Sequence, residues 1–182
     1  MLLLERDQSV VVLIDIQSRL APAIDHGRDV ENSAAWVLQV ALQLDVPIIA
    51  TEQYPEGLGT TVPVLAELLP EHAVIEKIHF SAFKEEAFRR KVAQLQRKQL
   101  ILLGTETHVC VLQTAMDLLA AGYQVFLVED AVGSRDARHK EQALARLQQA
   151  GAVIINREML AFEWLECAGT DTFRQIHQGW IR

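Results

Sequence analysis

The chain has few cysteines, no basic excess and no long apolar run. Its 182 residues include two cysteines, Cys110 and Cys167, so we expect neither a disulfide framework nor a two-cysteine metal site. The net charge of −7 offers no cationic field to a phosphate backbone, and no nucleic-acid partner is expected. No segment approaches the roughly eighteen uncharged apolar residues of a membrane span, and the start MLLLERDQ lacks a basic leader. These absences predict a cytoplasmic protein without membrane contact.

Short β-branched runs alternate with longer stretches of helical period, which is the pattern of parallel βαβ units. Half of the residues are hydrophobic, as in a sheet that helices cover on both faces. We find no internal repeat, low-complexity segment or flexible linker, so residues 1–182 are predicted to form a single domain. The six predicted strands are Val10–Asp15, Pro47–Thr51, Ala73–Lys77, Gln99–Gly104, Gln124–Glu129 and Ala152–Ile155.

The turns after the first two predicted strands indicate where a ligand would bind. The first strand leads into DIQSRLAP instead of the GxGxxG turn that cradles a dinucleotide pyrophosphate, which disfavours a nucleotide-binding role. The longest irregular stretch, residues 52–62, follows the second strand directly. Because ligand sites of open parallel sheets lie beyond the carboxyl ends of the strands, this loop is expected to carry specificity.

Three polar residues stand at that edge of the predicted sheet. Asp15 ends the first strand, Lys77 ends the third, and Cys110 follows the fourth near the start of a helix. Each has a structural alternative: a carboxylate can cap a turn, a lysine can be a solvated surface group, and a cysteine can pack as a small hydrophobe. A helix N-terminus, however, is expected to lower a thiol pKa, and its free amides can hold an oxyanion. The three side chains converge if the first and fourth strands are neighbours.

Three long segments, TEQYPEGLG, EKIHFSAF and GTETHVCVLQTAMDLLAAGY, resemble the isochorismatase-like cysteine hydrolase superfamily. That superfamily includes nicotinamidases and N-carbamoylsarcosine amidohydrolases, and the resemblance extends over nearly the whole chain. It implies a triad in which Asp15 removes the thiol proton and Cys110 attacks an electrophilic carbon. Lys77 would stabilise the negative charge and keep Asp15 ionised. The resemblance also implies a cis peptide at Thr105–Glu106 and an oxyanion hole formed by the backbone amides of Glu106 and Cys110.

The expected fold is an α/β, three-layer, Rossmann-like open parallel sheet of six strands in the order 3-2-1-4-5-6, with helices on both faces. The expected reaction is hydrolysis of a small-molecule amide, ureido or related carbonyl substrate, at a C–N bond other than a peptide bond. Authentic isochorismatases cleave a vinyl ether without a cysteine nucleophile, so ester and vinyl-ether substrates stay open. The alternative is a non-catalytic or redox-sensing binding protein, although a sensor needs no proton-abstracting carboxylate. A homo-oligomer, dimer or higher, is expected because the family is generally multimeric.

The loop after the second strand separates this chain from one branch of the family. Nicotinamidases hold a metal there with an aspartate and histidines, whereas TEQYPEGLG contains no histidine. We therefore expect no catalytic metal and no cofactor, although His79 and His108 stand beside triad residues. Gln17, Tyr54 and Phe80 are predicted to line the substrate pocket, and core packing would explain the two aromatic residues equally well.

Overall fold

The computed structural model describes residues 3–181, which form a six-stranded parallel sheet. The strand order is β3-β2-β1-β4-β5-β6, which confirms the predicted order. Every neighbouring pair is parallel, with β1 at the centre between β2 and β4. The strands are β1 Ser9–Ile14, β2 Ile48–Gln53, β3 Val74–Lys77, β4 Gln99–Thr105, β5 Gln124–Gly133 and β6 Val153–Ile155.

Helices cover both faces of the sheet, as the unbroken apolar strands predict. The alternation of side chains along β1 directs Val11 and Leu13 toward one layer and Val10 and Val12 toward the other. Helices α1 and α7 pack on the first face, and α4, α5 and α6 on the second. The helices are α1 Gly27–Gln43, α2 Pro55–Leu58, α3 Pro63–Ala66, α4 Glu86–Leu95, α5 Leu112–Ala120, α6 Ala137–Gln149, α7 Arg157–Leu165 and α8 Asp171–Ile176. No helix within residues 3–181 is long and apolar enough to cross a bilayer.

The C-terminal end of β4 is shaped by a glycine that no other residue could replace. Gly104 has a φ of +125°, and a Cβ there would lie 2.0 Å from the carbonyl oxygen of Ile14. The register between β4 and β5 shifts just before this point, and pairing resumes with Gly104 opposite Val132 and Thr105 opposite Gly133. This resumed pairing makes β5 longer than the predicted Gln124–Glu129 and brings the segment after β5 beside the segment after β4.

The predicted cis peptide at Thr105–Glu106 is wrong. This bond is trans, and there is no cis peptide bond among the residues that the structure describes. Trans is the default because a cis bond before a residue other than proline costs about 3 kcal/mol. The chain instead changes direction at Gly104, whose positive φ is freely available to glycine.

Candidate active site

Asp15 lies where the ends of four strands meet. It follows β1 directly, its φ is 50°, and its side chain is fully buried. The hydroxyl of Thr51 at the end of β2 donates to Oδ1 of Asp15 over 2.7 Å. The hydroxyl of Thr105 at the end of β4 donates to the backbone carbonyl of Asp15, also over 2.7 Å. Asp15 is therefore held by both neighbouring strands, through its carboxylate by β2 and through its backbone carbonyl by β4.

Lys77 reaches Asp15 from the end of β3. Its Nζ lies 2.7 Å from Oδ2 of Asp15, and both side chains are buried. The ammonium group donates hydrogen bonds to Oε1 of Gln53 at 2.6 Å and to the carbonyls of His79 and Phe80 at 3.3 and 3.2 Å. The contact with Oδ2 is shorter than those with the two carbonyls and lies at the distance of a charge-assisted hydrogen bond. Apart from Lys77 and the thiol of Cys110, which also bonds to this carboxylate, Oδ2 has no partner among the described residues.

Cys110 lies on a single π-helical turn, Thr107–Val111, that leads into α5. Its side chain is buried, and its thiol interacts with both Asp15 and Lys77. The predicted convergence of these three side chains is therefore present, although 95 positions separate Asp15 from Cys110 in the sequence. The adjacency of β1 and β4 produces it.

The thiol of Cys110 is not activated in the resting site. Burial and the negative charge of Asp15 together raise its pKa to about 12, against the opposing charge of Lys77. The expectation of a lowered pKa is therefore wrong, because desolvation of the thiolate outweighs the helix N-terminus. Burial also raises the pKa of Asp15, against the opposing charge of Lys77. The cysteine is a thiol at rest, so it must lose its proton as it attacks.

Glu106 and Arg135 form a second ion pair beside the nucleophile, which the sequence reasoning did not identify. Oε1 of Glu106 accepts from Nε of Arg135 at 2.6 Å, and Oε2 accepts from the backbone amide of Arg135 at 3.0 Å. The carboxylate is buried, whereas the guanidinium group is 62% exposed. The carbonyl of Glu106 accepts the amides of Val109 and Val111, which flank Cys110. Two features of the sequence could have indicated this pair: the acid Glu106 close before Cys110, and the SRD sequence that follows β5.

The predicted pocket residues differ in their surroundings. Gln17 is fully buried, and its amide nitrogen donates to the carbonyls of Gln53 and Gly59 while its oxygen accepts from the Gln53 amide. It therefore holds the loop after β2 in place, and this geometry does not support a substrate contact. Tyr54 and Phe80 flank Lys77, and each is 53% exposed. Their pocket roles stay predictions.

The histidines beside the triad face carboxylates. Nδ1 of His79 lies 2.9 Å from Oε1 of Glu85. Nδ1 of His108 lies 3.0 Å from the hydroxyl of Ser134 and 3.5 Å from Oε2 of Glu106, and burial lowers the pKa of His108. Residues 3–181 contain no group of three or more His, Cys, Asp or Glu side chains that could hold a metal ion. The absence of a catalytic metal stays a prediction.

The chain has clear relatives among known proteins. The family model described as Isochorismatase domain matches residues 9–159. Isochorismatase domain-containing protein 2A from Mus musculus is 40% identical over 177 residues, which cover 94% of this chain and 82% of the relative.

Solved structures match over almost the entire chain. MAR1 ribonuclease from Caenorhabditis elegans has a TM-score of 0.91 and 31% identity, with 97% of this chain and 91% of that one covered. The YcaC gene product of Escherichia coli, described as an octameric hydrolase of unknown specificity, has a TM-score of 0.92 and 26% identity, with 100% and 92% covered. These matches confirm the resemblance seen in the sequence motifs. The chain belongs to the isochorismatase domain family.

Proposed function

We propose that this protein hydrolyses a small-molecule amide, ureido or related carbonyl compound through a covalent intermediate on Cys110. The observation that carries the proposal is the contact between Asp15 and the thiol. The buried Asp15 carboxylate accepts a hydrogen bond from the thiol of Cys110, and its Oδ2 lies 2.7 Å from the ammonium group of Lys77. A carboxylate already bonded to the thiol is placed to take its proton.

The reaction proceeds in two halves. In the first, the thiol proton moves to Asp15 as sulfur forms a bond with the carbonyl carbon, and the resulting oxyanion accepts hydrogen bonds from the amides of Glu106 and Cys110. The C–N bond then breaks, and Asp15 returns its proton to the leaving nitrogen. In the second half, water loses a proton to Asp15 as it attacks the thioester, the C–S bond breaks, and the proton goes back to sulfur. Lys77 stabilises the carboxylate throughout.

The electrostatics of the site favour hydrolysis over redox sensing. Sensor cysteines are exposed and carry a low pKa, because the thiolate is the form that oxidants attack. Cys110 is buried and its pKa is raised to about 12. A thiol with so high a pKa needs a neighbouring base to become a nucleophile, and Asp15 is placed to be that base.

The proposal specifies a small molecule although one relative is named a ribonuclease. The net charge of −7 disfavours binding to a phosphate backbone, and the cation at the triad, Lys77, is buried in an ion pair. We propose a homo-oligomer because the E. coli relative is octameric. We also propose a cytoplasmic location, since both cysteines are free thiols, as a reducing compartment would keep them.

A panel of small amides, ureido compounds and esters, with an RNA oligonucleotide included, tests this proposal. Wild type should hydrolyse at least one small carbonyl compound, and mass spectrometry should find the acyl group on Cys110. Cys110→Ala should lose the activity and keep the fold. Cys167→Ala is the matched control, because that cysteine is free and exposed, and it should behave as wild type. Full activity of Cys110→Ala, or cleavage of RNA alone, would refute the proposal.

A further inference from the structure

The side chain of Glu106 joins two segments of chain. Its two carboxylate oxygens both bind Arg135, one through Nε at 2.6 Å and the other through the backbone amide at 3.0 Å. This contact spans 29 positions of sequence. It lies immediately beyond Thr105 and Gly133, the last paired residues of β4 and β5. The carboxylate therefore continues the connection between the two segments where the strand ladder ends.

Further contacts tie the same two segments together. The ring of His108 lies 3.0 Å from the hydroxyl of Ser134, and the carbonyl of Ser134 accepts the amide of Asp25 at 3.0 Å. The rings of His108 and His139 pack with their centroids 4.6 Å apart. The segment after β5 is thus held by contacts with residues outside it, and Glu106 connects that segment to the turn that carries Cys110.

The peptide plane that precedes Glu106 is held at both ends. At one end, the hydroxyl of Thr105 donates to the carbonyl of Asp15 over 2.7 Å. At the other, the Glu106 side chain is anchored on Arg135. The amide of Glu106 belongs to this plane, and it is one of the two donors that the proposed reaction directs at an oxyanion. Such donors act only when they are fixed before charge develops.

We infer that the Glu106 carboxylate is a positioning residue that orients its own backbone amide for the oxyanion by anchoring it to Arg135. This inference rests on the proposed function, since it needs an oxyanion to act on. It assigns the side chain no contact with the substrate and no proton transfer. Its effect should therefore be confined to reactions that pass through a tetrahedral intermediate.

Two reagents separate orientation of the amide from general damage to the site. Acylation of Cys110 by p-nitrophenyl acetate forms an oxyanion, whereas alkylation by iodoacetamide displaces iodide at a saturated carbon and forms none. Glu106→Ala should slow acylation by about 30-fold, less than the roughly 100- to 1,000-fold loss when an oxyanion donor is removed, because the amide is misoriented but still present. It should change alkylation less than about twofold. For hydrolysis of p-nitrophenyl acetate, Glu106→Ala should lower kcat and leave KM unchanged. Glu106→Gln, which keeps an acceptor for Arg135, should recover most of the acylation rate.

The matched control is another carboxylate bound to an arginine at the end of a strand pair. Asp130 accepts the amide of Arg157 at 3.0 Å and lies 3.4 Å from its Nε. Arg157 begins α7, which packs on the face of the sheet opposite the core cluster that contains Cys110. Asp130→Asn should leave acylation and alkylation at wild-type rates. Equal losses of acylation and alkylation in Glu106→Ala, or acylation at the wild-type rate, would overturn the inference.

Amide hydrogen exchange tests this inference independently of the proposed function, because it requires no reaction at Cys110. If wild type is not acylated, the proposed function fails, and hydrogen exchange then decides whether Glu106 couples the two segments. The amides of residues 105–111 and 133–136 should exchange faster in Glu106→Ala and Arg135→Ala than in wild type or Asp130→Asn. Unchanged exchange in both variants would overturn the coupling itself.

Discussion

Two carboxylate–cation pairs flank Cys110, and they are built in opposite ways. In the Asp15–Lys77 pair both side chains are fully buried, and the carboxylate also interacts with the thiol of Cys110. In the Glu106–Arg135 pair both carboxylate oxygens are bonded to Arg135, whose side chain is largely exposed to water. The first pair is buried at the nucleophile, whereas the second is screened by solvent.

The difference separates two proposed roles within one site: Asp15 accepts a proton, and Glu106 positions the backbone. Desolvation of a buried ion pair costs several kcal/mol, and only good geometry and additional hydrogen bonds offset it. At Asp15 the buried pair places a carboxylate beside the thiol whose proton it is proposed to take. At Glu106 both oxygens are bonded to Arg135, so that residue joins chain segments and is assigned no proton transfer.

Replacement of the proposed base should have the largest effect on catalysis. Asp15→Asn removes the proton acceptor and should lower the rate of hydrolysis roughly 1,000-fold, within the range for general-base catalysis. The thiol pKa should fall below about 12, because the charge of Asp15 raises it and Lys77 remains beside it. Thiolate absorbance as a function of pH measures this shift. If Asp15→Asn keeps more than about a tenth of the activity, Asp15 is not the base.

Replacing the cation of each pair should lower the free energy of unfolding by different amounts. Lys77→Met leaves Asp15 buried without a counter-charge and should lower the free energy of unfolding by about 3 kcal/mol at neutral pH. Arg135→Met removes a cation that water screens and should cost less than about 1 kcal/mol. The loss in Lys77→Met should shrink at acid pH, where Asp15 is protonated. Urea denaturation measures both variants, and equal losses would contradict the contrast between the pairs.

The smallest expected effect concerns the hydroxyl that bonds to Asp15. The hydrogen bond from Thr51 lowers the pKa of Asp15, so Thr51→Val should raise that pKa and move the acid limb of kcat/KM to higher pH. Activity well above that limb should not change, because Asp15 is ionised there in both proteins.

Thr61→Val is the matched control for this pH profile. Its hydroxyl donates to Oε1 of Glu52 over 2.7 Å, the same kind of bond to a different buried acid. Its acid limb should coincide with that of wild type. An acid limb that moves equally in both variants would show that the shift does not come from Asp15.

The sequence was sufficient to predict the strand order and the convergence of Asp15, Lys77 and Cys110. Apolar runs that end in a polar residue mark the carboxyl edge of a parallel sheet, and this edge gathers distant residues. The length of β5 was not predictable, because the extra residues pair only through the register shift beside Gly104. The partnership of Glu106 with Arg135 depends on that same extension.

The electrostatic state of Cys110 was the part of the site that the sequence misrepresented. Its position before a helix suggests a lowered pKa, but burial beside Asp15 raises it, and burial depends on loops whose packing the local pattern does not contain. Gln17 gives a similar lesson. A polar residue two positions after Asp15 suggests a substrate contact, yet its amide is bonded to the loop after β2.

The most direct measurement is the mass of the intact protein after rapid mixing with p-nitrophenyl acetate. The account predicts that wild type gains one acetyl group on Cys110 that later disappears as water hydrolyses the thioester, and that Asp15→Asn gains none over the same interval. An acetyl group found only on Cys167, or equal acetylation of Cys110 in both proteins, would contradict it.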